Sequence, residues 1–227
     1  MVLVPNILVS ISGKPKAGKT YLSMSFPAPI KIYSFDLGAT YVRTKFPNKE
    51  IDIKEFSLPV IESEDAQWAE PIWGELMKEY KTDIESGKYQ TVVLDTATVV
   101  WQICHQAVTE EKNRKKILEI EYFKPNLLMS SFFTRARLGG VNLVTIQYLA
   151  PIYVKSENTG QFGVDGWKRT EGNVDLVLEM ESKTIGEGRA ARTQMITLVK
   201  DNRFDRDLNG QIFVDTTYDE LIALLGV

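Results

Sequence analysis

Gly13-Lys14-Pro15-Lys16-Ala17-Gly18-Lys19-Thr20 is the stretch from which the rest of this chain is read. It fits G-x-x-x-x-G-K-[ST] at every fixed position, and each fixed position answers a physical need. Gly13 and Gly18 permit backbone angles and a closeness of approach that a side chain would block. Successive amide N–H groups then converge on a phosphate, and the helix that follows adds its positive end. Lys19 brings a point charge to the β- and γ-phosphates. The Thr20 hydroxyl is a hard oxygen ligand suited to Mg²⁺. The loop from Gly13 through Thr20, with Tyr21 next in the helix, is the predicted site for ATP and Mg²⁺.

Outward from the loop, the pattern is strand and helix in alternation. Asn6 to Ile11 is an apolar run like a buried strand, and a short helix is expected from about Lys19 to Phe26, stopped by Pro27 and Pro29. Further strands are expected at Ile30–Phe35, Ile51–Leu58 (an edge strand by its alternation), Tyr89–Asp95, Val141–Gln147, Val174–Met180 and Gln194–Lys200. Ile72, Leu76, Tyr80 and Ile84 stand at helical spacing within 69–86. Helices are also expected over 98–116, from Pro125 to Gly139-Gly140, and over 218–225. Residues 151–172 are polar, glycine-bearing and aperiodic, and read as a long loop. The sum predicts an α/β fold: one domain over residues 1–227, with about seven or eight strands in a mostly parallel sheet covered by helices on both faces.

Composition narrows the function classes. With 227 residues, 44% of them hydrophobic, the chain is long enough to bury a core without staples. The net charge of -3 excludes a global basic field, though not a local patch. Cys104 is the single cysteine, which excludes an internal disulfide and predicts a reducing, cytoplasmic setting. The N-terminus has the look of a core strand rather than a signal peptide. No apolar run approaches the roughly 20 residues that span a bilayer, so no membrane association is expected.

A second site feature is Val92-Val93-Leu94-Asp95. A carboxylate at the C-terminal end of a buried strand lies where ligands bind in such sheets. Asp95 is therefore the expected partner of Thr20 in holding Mg²⁺.

The order of these features resembles the RecA-like P-loop core, and in particular the phage-encoded RecA-like ATPases that act as single-strand annealing proteins, which have the core without flanking domains. The resemblance covers about residues 6–215. It implies that Gln147, at the end of LVTIQ, senses the γ-phosphate and signals to a DNA-binding loop at 148–172. That loop holds Lys155, Lys168 and Arg169 with Tyr153, Phe162 and Trp167; cations for phosphates and aromatics for bases suit single-stranded DNA. It also implies that Lys200 or Arg203 reaches a neighbour's ATP, as an arginine finger does, and hence a homo-oligomer with ATP between subunits. One departure stands out. Gly38 occupies the place of the family's catalytic Glu, and Thr96 follows Asp95 where many ATPases have one. Asp36 is the substitute at hand, with a shorter reach, so slow hydrolysis with ATP as an assembly switch is expected.

Two other readings share the same loop. One is a P-loop ATPase acting on a protein partner in replication, such as a helicase loader. The other is a small-molecule kinase, whose Arg-rich lid would draw on Lys183, Arg189, Arg192, Lys200, Arg203 and Arg206. His105 beside Cys104 points away from it on a helix and makes no metal pair. Lys112, Arg114, Lys115 and Lys116 are flanked by Glu110, Glu111, Glu119 and Glu121, as on a solvated helix face.

Overall fold

The computed structural model describes residues 6–59, 67–114, 118–188 and 191–225. Lys115, Lys116 and Arg189 lie outside the described residues. The strands are β1 (Leu8–Gly13), β2 (Ile30–Ser34), β3 (Ile51–Glu55), β4 (Thr91–Asp95), β5 (Asn142–Val154), β6 (Glu157–Asp165), β7 (Leu176–Ile185), β8 (Arg192–Asn202) and β9 (Ile212–Val214). They form a nine-stranded sheet ordered β3-β2-β4-β5-β1-β7-β8-β9, with β6 paired to β5 off that path. From β3 to β7 the neighbours run parallel. β6, β8 and β9 are antiparallel additions.

The helices are α1 (Lys19–Ser25), α2 (Ala39–Arg43), α3 (Ala69–Glu85), α4 (Ala97–Glu111), α5 (Phe123–Gly139), α6 (Thr170–Asn173) and α7 (Tyr218–Leu225). Strand alternation sorts the core into two layers. Ile7, Val9 and Ile11 face Leu22 and Met24 of α1 and Leu221 of α7. Leu8, Val92, Leu94 and Leu143 face the other way, onto Trp73, Leu76 and Tyr80 of α3, Ile103 of α4, and Phe132 of α5. Central parallel strands are buried on both faces, which is why they read as unbroken apolar runs. Each such Leu or Ile contributes about 1.5–3 kcal/mol of burial free energy. Glu110, buried on α4, closes the start of α3 by accepting from the amides of Trp68, Ala69 and Glu70. A carboxylate there satisfies helix donors that have no partner within the helix.

The expected α/β architecture with a mostly parallel sheet is the architecture found. α2 and β9 are additions to the expected elements, and residues 151–172 are the main departure. In place of a long loop, β5 runs on to Val154, turns at Lys155-Ser156 and returns as β6. Pro151 and the bulge beside it broke the alternation on which a strand reading depends. The turn also lacks a glycine signal: Lys155 and Ser156 take φ of 49° and 69° themselves, the two positive values a tight hairpin turn requires.

At the sheet end opposite the phosphate loop, Asp175 ties three elements together. Its side chain, 5% exposed, accepts from the Leu8 amide at 3.0 Å, Arg137 at 2.7 Å and Arg203 at 3.1 Å. Replacing it leaves a buried amide and two guanidinium groups without their acceptor. Asp175→Ala is expected to lower stability by about 2–3 kcal/mol, read as a shift in the urea midpoint at unchanged slope; an unmoved midpoint would remove Asp175 from any structural role.

Candidate functional site

β1 ends at Gly13 and α1 begins at Lys19, so the glycine loop joins the C-terminal edge of the sheet to a helix start. A Cβ on Gly13 would overlap the Met180 carbonyl oxygen of β7, which leaves only glycine at this crossing. Gly18 takes φ 92° as the residue before α1, and no side chain among the described residues caps that helix, so its first amides stay open to an anion. Lys19 donates from Nζ to the carbonyls of Gly13 and Lys14, both at 2.8 Å. Burial holds its pKa below the usual lysine value, while the charges of Asp95 and Asp36 oppose that shift.

β4 delivers Asp95 to the same edge. Strand β5 lies between β1 and β4, so the loop and Asp95 straddle it. The Thr20 hydroxyl donates to Asp95 Oδ2 at 2.8 Å. Oδ1 is buried without a hydrogen-bond partner among the described residues. The cap of α4 is Thr96, whose Oγ accepts from the Val99 amide, so the Asp95 carboxylate is not consumed in capping. Burial, and then the charge of Asp36, push the Asp95 carboxyl up to about 7; the Thr20 hydrogen bond and Lys19 pull the other way. A buried carboxylate with an unused oxygen beside a hydroxyl fits a hard divalent cation such as Mg²⁺. A cavity of about 430 Å³, lined by Lys16, Thr20, Tyr21, Asp36, Asp95 and Tyr148 among others, opens over this pair. Tyr21, half-buried, rests on Phe46 with ring centroids 4.9 Å apart.

A family model described as an AAA domain matches residues 6–206. The chain belongs to that family. A search of curated proteins returned no match. This AAA domain is a nucleotide-binding P-loop NTPase, and the loop and Asp95 are the parts of it that the geometry brings together.

Elsewhere the AAA domain departs from expectation. Gln147 is fully buried and lies on the far face of the sheet: Ser10 donates to its Oε1 at 2.9 Å, and its Nε2 donates to Thr170 at 3.4 Å. Strand alternation is the reason, since Ile146 and Tyr148 take the pocket side and Gln147 the other. The residue that meets the phosphate loop here is Tyr148. Its ring lies 5.5 Å from Lys19 Nζ, and its hydroxyl donates to Asp36 Oδ2 at 3.3 Å. Burial and Asp36 push that hydroxyl up to about 12, so it remains a donor at neutral pH. A period-two count from Leu143 places Tyr148 with Ile146, but a strand buried on both faces gives no polarity contrast to prompt the count.

Asp36 is exposed and lines the cavity, and Gly38 donates its amide to Asp36 Oδ1 at 3.0 Å. Lys155, Lys168 and Arg169 are exposed. Trp167 is not: at 2% exposure it packs on Phe133 and donates from Nε1 to Asn126 at 2.7 Å, so it offers no free ring to a base. Lys200 pairs with Glu179 at 3.3 Å and Arg203 with Asp175. Because β8 is antiparallel, Arg203 follows the strand end paired with the start of β7, away from Gly13, so it does not approach this chain's own loop. Of the residues expected of a kinase lid, Lys183, Arg192 and Lys200 sit instead along the β7–β8 pair, where Lys183 faces Gln194 and Arg192 faces Ile185. Among the described residues no helix is long and apolar enough to cross a membrane.

Folding raises the Asp95 pKa from its ordinary 3.8 to about 7. The folded state therefore holds this proton more tightly than the unfolded chain. The sign follows: stability from this group is full at low pH and is lost as pH rises from about 4 through 7. Without nucleotide or metal, Asp95→Asn is expected to gain stability relative to the native chain between pH 5 and pH 8, by on the order of a few kcal/mol. Parallel melting curves at the two pH values would deny the shift.

Proposed function

We propose that this AAA domain binds ATP with Mg²⁺, hydrolyses it slowly, and uses the bound state to control binding of single-stranded DNA in annealing or strand pairing. The observation that carries this reading is the attachment of the β5–β6 hairpin to the phosphate loop. Lys14 Nζ stands 4.7 Å from the centre of the Phe162 ring, and Tyr148, at the hairpin's root, lies against Lys19 and Asp36. A phosphate that draws Lys19 away from the Gly13 and Lys14 carbonyls changes the ground on which both rings rest. The hairpin carries Lys155 at its turn and the exposed rings of Tyr153 and Phe162, a cation-and-aromatic surface of the kind single strands use.

Lys19 would meet the phosphates, Thr20 and Asp95 would hold Mg²⁺, and the ion would neutralise charge on the transferring phosphoryl. Asp36 is the carboxylate left to orient water, from an exposed position that also serves Tyr148. That supports slow turnover. A homo-oligomer with ATP between subunits belongs to the same reading. Both candidates are paired in this chain, Arg203 with the buried Asp175 and Lys200 with the more exposed Glu179, so Lys200 is the easier of the two to release for a trans-acting role.

A second reading has support of its own. Ile152, Tyr153, Val154 and Phe162 are exposed apolar side chains of the hairpin, and exposed apolar surface also marks protein contacts. In that case the nucleotide state gates a protein partner in replication.

Fluorescence anisotropy of a labelled single-stranded oligonucleotide separates the two. With ATP-Mg²⁺ present, binding is expected to weaken with salt. The triple variant Lys155→Ala, Lys168→Ala, Arg169→Ala is expected to flatten the slope of log affinity against log salt by about 2. Lys19→Ala is expected to remove the ATP dependence. An oligonucleotide that fails to bind at any salt concentration would turn attention to the protein-partner reading.

A further inference from the structure

A second cavity, of about 670 Å³, lies on the opposite face of the sheet from Asp95, between α4, the start of α5 and the segment that follows β6. Its walls are Trp101 and His105, one turn apart on α4, and Tyr122, just before α5. The three rings form one cluster. Trp101 and His105 are 5.9 Å apart at their centroids, His105 and Tyr122 5.3 Å, and His105 Nε2 is 3.2 Å from the Tyr122 hydroxyl. Lys168 and Arg169, both exposed, stand at the rim, and among the described residues the lining contains no carboxylate. Glu121, next to Tyr122 in the chain, is already engaged by Lys112 and Arg114. Buried Trp167 anchors the rim through Asn126, so the two cations are carried on a fixed support.

We propose that this cavity is a subsite for one nucleotide unit of a single strand, with the base against the Trp101–His105–Tyr122 cluster and its phosphate held by Lys168 and Arg169. The size suits it, since ligand cavities run roughly 300–1,000 Å³. So does the chemistry: an aromatic wall with cations at one side matches a flat base joined to an anion. The subsite rests on the single-strand reading above and adds to it a place where the base itself is gripped.

The subsite is also wired to the nucleotide site. Thr98, one turn before Trp101 and two residues after pocket-lining Thr96, accepts from the Tyr148 amide at 3.0 Å and donates to the Asp165 carbonyl. It thus clasps both strands of the hairpin at their base. On the other side of β5, Gln147 reaches Thr170 and leaves no room for a side chain at Gly166 without a shift.

The test compares a thymidine oligonucleotide with one of equal length whose sugars lack bases, each titrated into the full chain with ATP-Mg²⁺ while tryptophan emission is followed. Native protein is expected to bind the thymidine strand at least tenfold more tightly than the abasic one, roughly the worth of one stacked base, with quenching of emission. Trp101→Phe is expected to keep affinity within about threefold and lose most of the quenching, since phenylalanine still stacks. Tyr122→Ala, at a partly exposed position where folding is not at stake, is expected to weaken the thymidine strand about tenfold and leave abasic binding unchanged; thermal melting checks the fold. Equal affinity for both strands would overturn the subsite and leave single-strand binding standing. Binding of neither strand would overturn both.

Discussion

A carboxylate buried to 1% exposure, with one oxygen satisfied by a threonine and the other by nothing among the described residues, is the constraint around which the AAA domain is arranged. Burying such a group is costly unless a cation or a proton meets it. A divalent cation held at Asp95 would bring the compensating charge. Lys19 is its counterpart: a cation that burial disfavours, held on carbonyls that it would exchange for phosphate oxygens. Each half of the site is uncomfortable alone, and a nucleotide with a bound cation would relieve both.

The parts of this arrangement legible in the sequence are those where chemistry or burial admits few alternatives. The glycine loop was readable because a backbone crossing the Met180 carbonyl tolerates no Cβ. The β4 run ending in Asp95 was readable because a strand buried on both faces must be apolar until it reaches the edge. Thr20 and Asp95 do meet, as the motif and the strand end implied.

What was not legible depended on direction rather than type. Gln147 and Tyr148 are neighbours, and nothing in a doubly buried strand says which one turns toward the loop. Trp167 lies in a segment without regular structure, which reads as exposed, yet Phe133 and Asn126 make it a core residue. The hairpin hid behind Pro151 and behind a turn built without glycine. Arg203 carried the right charge for a trans-acting role, but Asp175, a partner 28 positions away, was visible only once the chain was folded.

Strand β5 belongs both to the centre of the sheet and to the hairpin beyond it. From Tyr148 to Val154 it advances about 20 Å at ordinary strand rise. An arm of that length converts rotation into travel: three degrees at the root moves the tip by about 1 Å. The root lies between two rigid parallel neighbours only as far as Gln147 and Ile146; beyond them its partner is β6 alone. The stiff portion and the swinging portion therefore meet at Tyr148, the residue touching Lys19. A rotation of a few degrees at Tyr148 would thus reach Lys155 as a displacement of about 1 Å, with the pairing of β1, β4 and β5 unchanged.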